Sequence, residues 1–285
     1  MRRDGSRVAC ALMANVLITG CSTGFGELAA LTFADRGHTV IATMRTPGKS
    51  AAINARPEIH QLPLDVTSTD SVNAAVSAAI ELVGRLDVVV NNAGVESFGA
   101  VHLFSDEEVQ WQFDTNVTGV VRVVRAVVPQ MLEHGGGAIV NVGSVAGRVG
   151  TPYGGMYAAT KHAVEALTEA MHFELSHRGI RVTVVEPGQF PTQLNANSGH
   201  AAAMAGAPEE GERYQRYRAA QKSLVSGGPA DPQMVADAIY AAATERPGVL
   251  RHPVGADADL VLGAKGSMPF EEFDATMRTV LNWHE

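Results

Sequence analysis

Sulfur chemistry is nearly absent from this chain. Cys10 and Cys21 are its only cysteines in 285 residues, too few for a disulfide framework and without the spacing of a zinc motif. The ten His are scattered with no metal-ligand spacing. No Lys/Arg run occurs, and 30 acidic against 22 basic residues leave a net charge of −8, which argues against nucleic acid or an anionic membrane surface as a partner. No apolar run approaches the roughly 20 residues needed to cross a bilayer. Internal repeats, low-complexity tracts and an obvious linker are lacking as well. What remains is a chain 46% hydrophobic and long enough for one large α/β domain with a full core. A soluble, cytoplasmic protein acting on a small molecule is the expectation.

The first residues stand apart. Met1-Arg2-Arg3 followed by Val8 to Ala14 has the basic start and short apolar run of a signal peptide, yet cleavage after Ala14 would fall against the first core strand. Residues 1–13 are therefore read as a disordered extension, and 14–285 as a single catalytic domain.

Asn15 to Thr19 is a short apolar run, and Gly20-Cys21-Ser22-Thr23-Gly24-Phe25-Gly26 follows it and opens into a helical pattern, Glu27 to Arg36. Strand, glycine loop and helix together form a phosphate-binding context: glycine permits positive φ and close approach of a ligand, and the helix N-terminus offers unpaired N–H groups. The second strand, His38 to Met44, ends at Arg45. The acid that would hold a ribose 2′-hydroxyl is missing there, and Arg45 could pair with a 2′-phosphate instead, which favours NADP(H) over NAD(H).

Further along, Ile59 to Leu64 reads as a third strand ending at Asp65 and Val66, with Asp65 either facing an adenine or ending the strand. Thr67 to Asp70 reads as a capping box opening the helix Ser71 to Val83. Leu86 to Val90 is continuously apolar, as a central parallel strand must be, and ends in Asn91-Asn92-Ala93-Gly94, two amides suited to bracing a loop. Ser105 starts a long helix that carries Asn116, a residue type usually solvated in mid-helix. Ala138 to Val142 is another strand with Ser144 just past its end, and Ile180 to Val185 a sixth, ending at Glu186-Pro187-Gly188. From Gln189 to about Pro232 the composition turns polar and small, with a helix-like patch at Glu209 to Lys222, which suits a substrate lid over residues 189–232. Met234 to Ala243 reads as the last main helix and Gly248 to Pro253 as a seventh strand.

The chemistry centres on Tyr157-Ala158-Ala159-Thr160-Lys161. Four apart in a window of helix formers, Tyr157 and Lys161 share one helix face. An ammonium beside a phenol favours the phenolate, lowering a pKa of about 10 towards the working pH so that the phenol can exchange a proton with an alcohol or ketone. With 5 Tyr and only 4 Lys, such a pair arises by accident roughly 7% of the time, so its weight comes from its surroundings.

Those surroundings are Thr19-Gly20-x-x-x-Gly24-x-Gly26, Asn91-Asn92-Ala93-Gly94, Asn116, Ser144, Tyr157-x-x-x-Lys161 and Pro187-Gly188, which resemble the short-chain dehydrogenase/reductase family in order and spacing over residues 13 to 255. The resemblance implies a doubly wound, Rossmann-type fold with seven parallel strands and helices on both faces. It implies hydride transfer between a nicotinamide and a secondary alcohol or carbonyl, in a homodimer or homotetramer. In it Tyr157 is the acid/base, Lys161 lowers its pKa and binds the nicotinamide ribose, Ser144 orients the substrate oxygen, and Asn116 kinks its helix and holds a water in a relay to Lys161. The glycine loop (Gly20, Ser22, Thr23, Gly24, Phe25, Gly26) takes the phosphates, Arg45, Asp65 and Val66 the adenosine end, and Asn91, Asn92, Ala93, Gly94, Pro187, Gly188 and Thr192 the nicotinamide end. A proline just before Thr192 departs from the family pattern and restricts Phe190. Val95, Glu96, Tyr153, Met156, Gln189 and Phe190 flank the matched positions and are expected to line the substrate pocket. A non-catalytic nucleotide-binding regulator of the same fold is the alternative, disfavoured because Ser144, Tyr157 and Lys161 are all kept; nucleotide-sugar epimerases share the Tyr/Lys pair but space their glycines differently.

Overall fold

A computed structural model describes residues 13–191, 199–223 and 230–283. The proposed extension, Met13 excepted, and Thr192 lie outside the described residues. In chain order the strands are β1 (Asn15–Thr19), β2 (Thr39–Met44), β3 (His60–Pro63), β4 (Val88–Asn91), β5 (Ser97–Phe98), β6 (Gly137–Val142), β7 (Ile180–Pro187), β8 (Gly199–His200) and β9 (Arg251–Val254). The helices are α1 (Gly24–Asp35), α2 (Ala51–Asn54), α3 (Thr69–Val83), α4 (Asp106–Phe113), α5 (Gly119–Glu133), α6 (Gly155–Leu175), α7 (Pro208–Ser223), α8 (Gln233–Thr244), α9 (Ala256–Ser267) and α10 (Phe270–Val280).

Seven strands form one parallel sheet in the order β3-β2-β1-β4-β6-β7-β9, and β5 pairs with β8 in a small separate ribbon. The seven-stranded doubly wound expectation holds. Alternation along the strands builds a core on each face. Val16, Ile18, Val88 and Val90 pack towards α1 and α8 with Phe33 and Ile239, while Leu17 and Val89 pack towards α3 and α5 with Val72, Val123 and Met131. The order reverses between β1 and β4, so the crevice of an open α/β sheet falls at their carboxyl ends, where Gly20 and Asn92 lie.

Three local readings change. Ser68 caps α3 by accepting from the Ser71 amide, but position 71 is a serine with no reach back to the cap; the reciprocal box sits at Ser105 and Glu108 on α4. The long helix from Ser105 is interrupted by a π-helical segment, Asp114–Thr118, between α4 and α5. Two helices, α9 and α10, follow the seventh strand although Met234 to Ala243 was read as the last. Phe273 and Met277, four apart, were the legible sign of α10, since Phe273 is buried and Met277 packs against a core cluster.

Candidate active site

The glycine loop is closed by contact rather than by preference alone. Gly20 has φ +74°, and a Cβ there would meet Ala93 Cα at 2.8 Å. At Gly26 it would meet Asn92 Nδ2 at 2.4 Å and the Gly20 carbonyl oxygen at 2.5 Å. Asn92 makes this closeness useful, donating from Nδ2 to the carbonyls of Thr19 (2.9 Å) and Gly20 (3.1 Å). Thr19 Oγ1 in turn accepts from the amides of Asn92 and Ala93, both at 3.0 Å. The bracing role expected of the two amides is found here, with Asn91 Nδ2 donating to Asn141 Oδ1 at 2.9 Å. Thr23 caps α1 without a side-chain hydrogen bond, whereas Ser68 and Ser105 cap theirs with one, so the α1 N-terminus keeps its amides for a ligand. Cys21 is fully buried beneath the loop, its thiol pushed up to about 12 by burial, and is inert at neutral pH.

One cavity of about 680 Å³ runs from this loop across the strand ends. Gly20, Ser22, Thr23, Gly24, Phe25, Arg45, Asp65, Val66, Asn92, Ala93, Gly94, Ser144, Tyr157, Lys161, Pro187 and Gly188 all line it. Gly26 instead packs against the loop from behind, and Asn116 supports the wall. At one end, exposed Arg45 follows β2. Burial works against the charge of Asp65, but hydrogen bonds from Thr67 and the charge of Arg45 hold its carboxyl below the usual range.

Asn116 is buried at 2% exposure rather than solvated. The π segment turns it inward, where Oδ1 accepts from the Val95 amide at 2.8 Å and Nδ2 donates to the Val95 carbonyl at 2.8 Å and to Thr160 Oγ1 at 3.0 Å. It thereby ties the strand-end segment after Gly94 to α6. Ser144 Oγ accepts from the Ala146 amide at 3.1 Å and donates to the Pro187 carbonyl at 3.4 Å, and it lines the cavity together with Tyr157.

Tyr157 and Lys161 lie on one face of α6 as their spacing requires, with Lys161 Nζ 5.6 Å from the Tyr157 ring centroid. The expected fall in the phenol's pKa is not found. Burial, joined by the charge of Glu96, pushes Tyr157 above the ordinary tyrosine value, with neighbouring Ser144 opposing it. Lys161 directs Nζ at the Val142 carbonyl (2.8 Å), and burial brings its pKa down to about 8, against the pull of Glu96 and Glu165.

The substrate side holds residues that the sequence did not single out. Phe98, Trp111, Tyr217, Val261, Met277 and Leu281 line it together with the expected Val95, Glu96, Gln189 and Phe190. Phe190 also packs edge-on against Phe25, ring centroids 5.8 Å apart, joining this wall to the glycine loop. Tyr153 and Met156 are not among the lining residues. Tyr153, at φ +62°, packs behind them with Tyr214, Tyr217 and Trp283. Asp257 Oδ2 accepts from the Gln189 amide at 2.7 Å, and Gly188 leaves that carboxylate its room.

The short chain dehydrogenase family model matches residues 14–203. The chain belongs to this family. It is 34% identical over 276 residues to the uncharacterized oxidoreductase YusZ of Bacillus subtilis, covering 93% of this chain and 97% of that protein. To the 3-ketodihydrosphingosine reductase of Bacteroides thetaiotaomicron it is 41% identical over 182 residues, 64% of this chain and 66% of that one. A short-chain dehydrogenase from Streptomyces avermitilis superposes with a TM-score of 0.79 at 32% identity, covering 94% and 98% of the two chains. Two other solved neighbours carry nicotinamide nucleotides. The 3-ketoacyl-(acyl-carrier-protein) reductase of Brucella melitensis is complexed with NADH (27% identity, TM-score 0.72, 85% and 96% covered), and ElxO has NADP bound (30% identity, TM-score 0.71, 85% and 98% covered). The protein is an NAD(P)-dependent oxidoreductase acting on alcohol or carbonyl groups of a small molecule. Among the described residues no helix is long and apolar enough to cross a membrane, and no cluster of metal-binding side chains occurs.

Proposed function

We propose that this protein is an NADPH-preferring reductase of apolar ketones in which Tyr157 donates the proton. The observation that carries the reading is that Ser144, Tyr157 and Lys161 share the wall of one cavity with the glycine cradle. The cradle fits a dinucleotide: it has no room for side chains at Gly20 and Gly26, and the start of α1, which no side chain caps, lines the cavity through Thr23, Gly24 and Phe25. The bound nicotinamide supplies the hydride that adds to the carbonyl carbon.

The chain's own residues do the rest. Ser144 holds the carbonyl oxygen beside Tyr157, whose hydroxyl gives that oxygen its proton as the carbon gains hydride, so that the ketone leaves as a secondary alcohol. A phenol kept neutral by burial is the form that reduction needs at the start of each turnover. Lys161, held by the Val142 carbonyl, places its positive charge where a phenolate forms, and Asn116 fixes the segment facing the substrate. Arg45 lines the cavity after β2, where its guanidinium could pair with a 2′-phosphate, and no acid occupies that strand end to favour a free ribose hydroxyl. Two relatives bearing reductase names, one for 3-ketodihydrosphingosine and one for 3-ketoacyl groups, support the direction of reaction and an apolar chain on the substrate.

Titration with NADPH and NADH, followed by fluorescence, and then a panel of ketones, quinones and steroid-like carbonyls with the tighter nucleotide, tests this. NADPH binding at least about tenfold tighter, with R45A abolishing most of the difference, is the expected result. Equal affinity in the unmodified protein would remove Arg45's role, and binding of neither nucleotide would revive the non-catalytic alternative.

A further inference from the structure

The loop that carries Ser144 has no room on its inner side. A Cβ at Gly143 would meet Glu165 Oε1 at 3.1 Å, and one at Gly147 would meet both Glu165 Cγ and the Lys161 carbonyl oxygen at 3.0 Å. Glu165 stands one turn after Lys161 on α6 and so lies against both glycines that flank Ser144. It is not among the residues that line the cavity, and the mechanism above does not use it. Lys161 itself grips the strand end just before this loop, through the Val142 carbonyl at 2.8 Å.

Charged side chains reach Glu165 from every element packed against it. Arg251 on β9 donates from Nε to Glu165 Oε2 at 3.0 Å and pairs through Nη2 with Glu169 on α6. Glu186 on β7 is fully buried, its Oε1 3.9 Å from Arg251 Nε and 3.2 Å from Nη1 of Arg148, which ends the Ser144 loop. Two carboxyl oxygens, Glu165 Oε1 and Glu186 Oε2, are buried without a hydrogen-bond partner among the described residues. With Glu165 neutral, the guanidiniums of Arg148 and Arg251 balance the carboxylates of Glu169 and Glu186. Ionisation adds a third negative charge, on a carboxyl whose Oε1 faces Gly143 with nothing to answer it. The neutral acid is the form that fits the closed loop.

We infer that Glu165 is a positioning residue: its neutral form seats the Ser144 loop against α6, and its ionisation loosens that seat, so that ketone reduction weakens as pH rises through neutrality. This rests on the reductase reading above and adds a control by pH to the same site. The excess buried charge is relieved by admitting water beneath Gly143, and the loop that must lift to admit it carries the hydroxyl that holds the carbonyl oxygen. Burial, and then the charge of Glu186, raise Glu165 to about 7, with Arg251 and Arg148 opposing. Tyr157, held above the ordinary tyrosine value by burial, stays protonated over that range, so the fall is not its own titration.

The test is the pH profile of kcat for one apolar ketone at saturating NADPH, with nucleotide affinity titrated at each pH. The readout is the ratio of kcat at pH 6 to kcat at pH 7.5 within one protein, so any general loss from a substitution cancels. A group titrating near 7 predicts a fall of about fourfold in the unmodified protein. In E165Q, where Lys161 near 8 is the next group to titrate, the fall should be less than about twofold. R148Q supplies a second variant, at a side chain that is 41% exposed. It removes a positive charge that holds Glu165 down, so the midpoint of the fall should move to higher pH, which a merely structural role would not produce. A flat profile in the unmodified protein, a fall in E165Q as large as in the parent, or a midpoint unmoved in R148Q overturns the assignment while leaving the reductase reading intact. No turnover of any ketone, with nucleotide bound, overturns both.

Discussion

The two ends of the cavity are built by different means. The nucleotide end is made of backbone: positive-φ glycine, packed glycine, and amide side chains whose hydrogen bonds go to main-chain carbonyls. The opposite end is made of aromatic and aliphatic side chains brought from five distant stretches, β5, α4, α7, α9 and α10, with Tyr153 and Tyr214 packed behind Tyr217. A backbone site tolerates almost no change because its neighbours cannot move. A side-chain site can be re-lined without disturbing the sheet, which is how one fold serves many substrates.

Tyr157 stands on the seam, and its removal separates chemistry from both ends. Y157F is expected to lower kcat by about a thousandfold or more, the scale of a lost proton donor, while the affinity for NADPH and the unfolding midpoint stay near those of the parent. Nucleotide titration and turnover of one ketone measure both, and substantial activity in Y157F would mean that the proton comes from another group. Next in size is the cradle itself. G26A places a Cβ 2.4 Å from Asn92 Nδ2 and 2.5 Å from a carbonyl oxygen that cannot retreat. Loss of about 1–3 kcal/mol of stability and at least about tenfold in nucleotide affinity should follow. A stable G26A protein that binds nucleotide normally would show that the loop gives way more easily than its contacts suggest.

At the other end, Y217L removes a ring that is 3% exposed and packs edge-on to Trp283 at 5.9 Å. It should raise KM for an apolar ketone by about tenfold and leave nucleotide affinity unchanged. If nucleotide affinity falls as well, the two ends are mechanically coupled, for instance through Phe190 and Phe25, and the contrast drawn above is too sharp.

That contrast also explains what the sequence could show. Gly20, Gly24, Gly26, Asn92, Ser144, Tyr157 and Lys161 were legible because backbone conformation and helix spacing constrain the residue type at each position. Arg45 and Asp65 were legible as strand-end residues. The opposite wall was not, because Trp111, Tyr217, Val261 and Leu281 obey no spacing rule: their meeting depends on how α4, α7, α9 and α10 pack. Asn116 fell between the two. Its helix was visible, but a mid-helix asparagine is ordinarily solvated, and only the π segment that rotates it inward makes it a brace for Val95. The direction of the Tyr157 shift was misjudged for a related reason. Spacing brings Lys161 near, but the burial and the charge of Glu96 that raise the phenol are properties of the fold.

The smallest expected effect concerns a group behind both ends. Glu165, one turn beyond Lys161, is 5% exposed. Its Oε2 accepts from Arg251 Nε at 3.0 Å, and that nitrogen lies 3.9 Å from the fully buried Glu186, which also pairs with Arg148 beyond the Ser144 loop. Burial, and then the charge of Glu186, raise Glu165 from 4.5 to about 7. Between those values the folded chain keeps a proton that the unfolded chain has released, so this group's contribution is fully present below pH 4.5 and is lost as pH rises through 7. E165Q removes the titration. Denaturant unfolding at pH 5 and pH 7.5 should therefore show a smaller loss of stability on raising the pH in E165Q than in the parent. The difference should be on the order of 1 kcal/mol once screening at the partly exposed Arg251 is discounted. An unchanged difference between the two pH values would show that Glu165 is not the group that holds the proton.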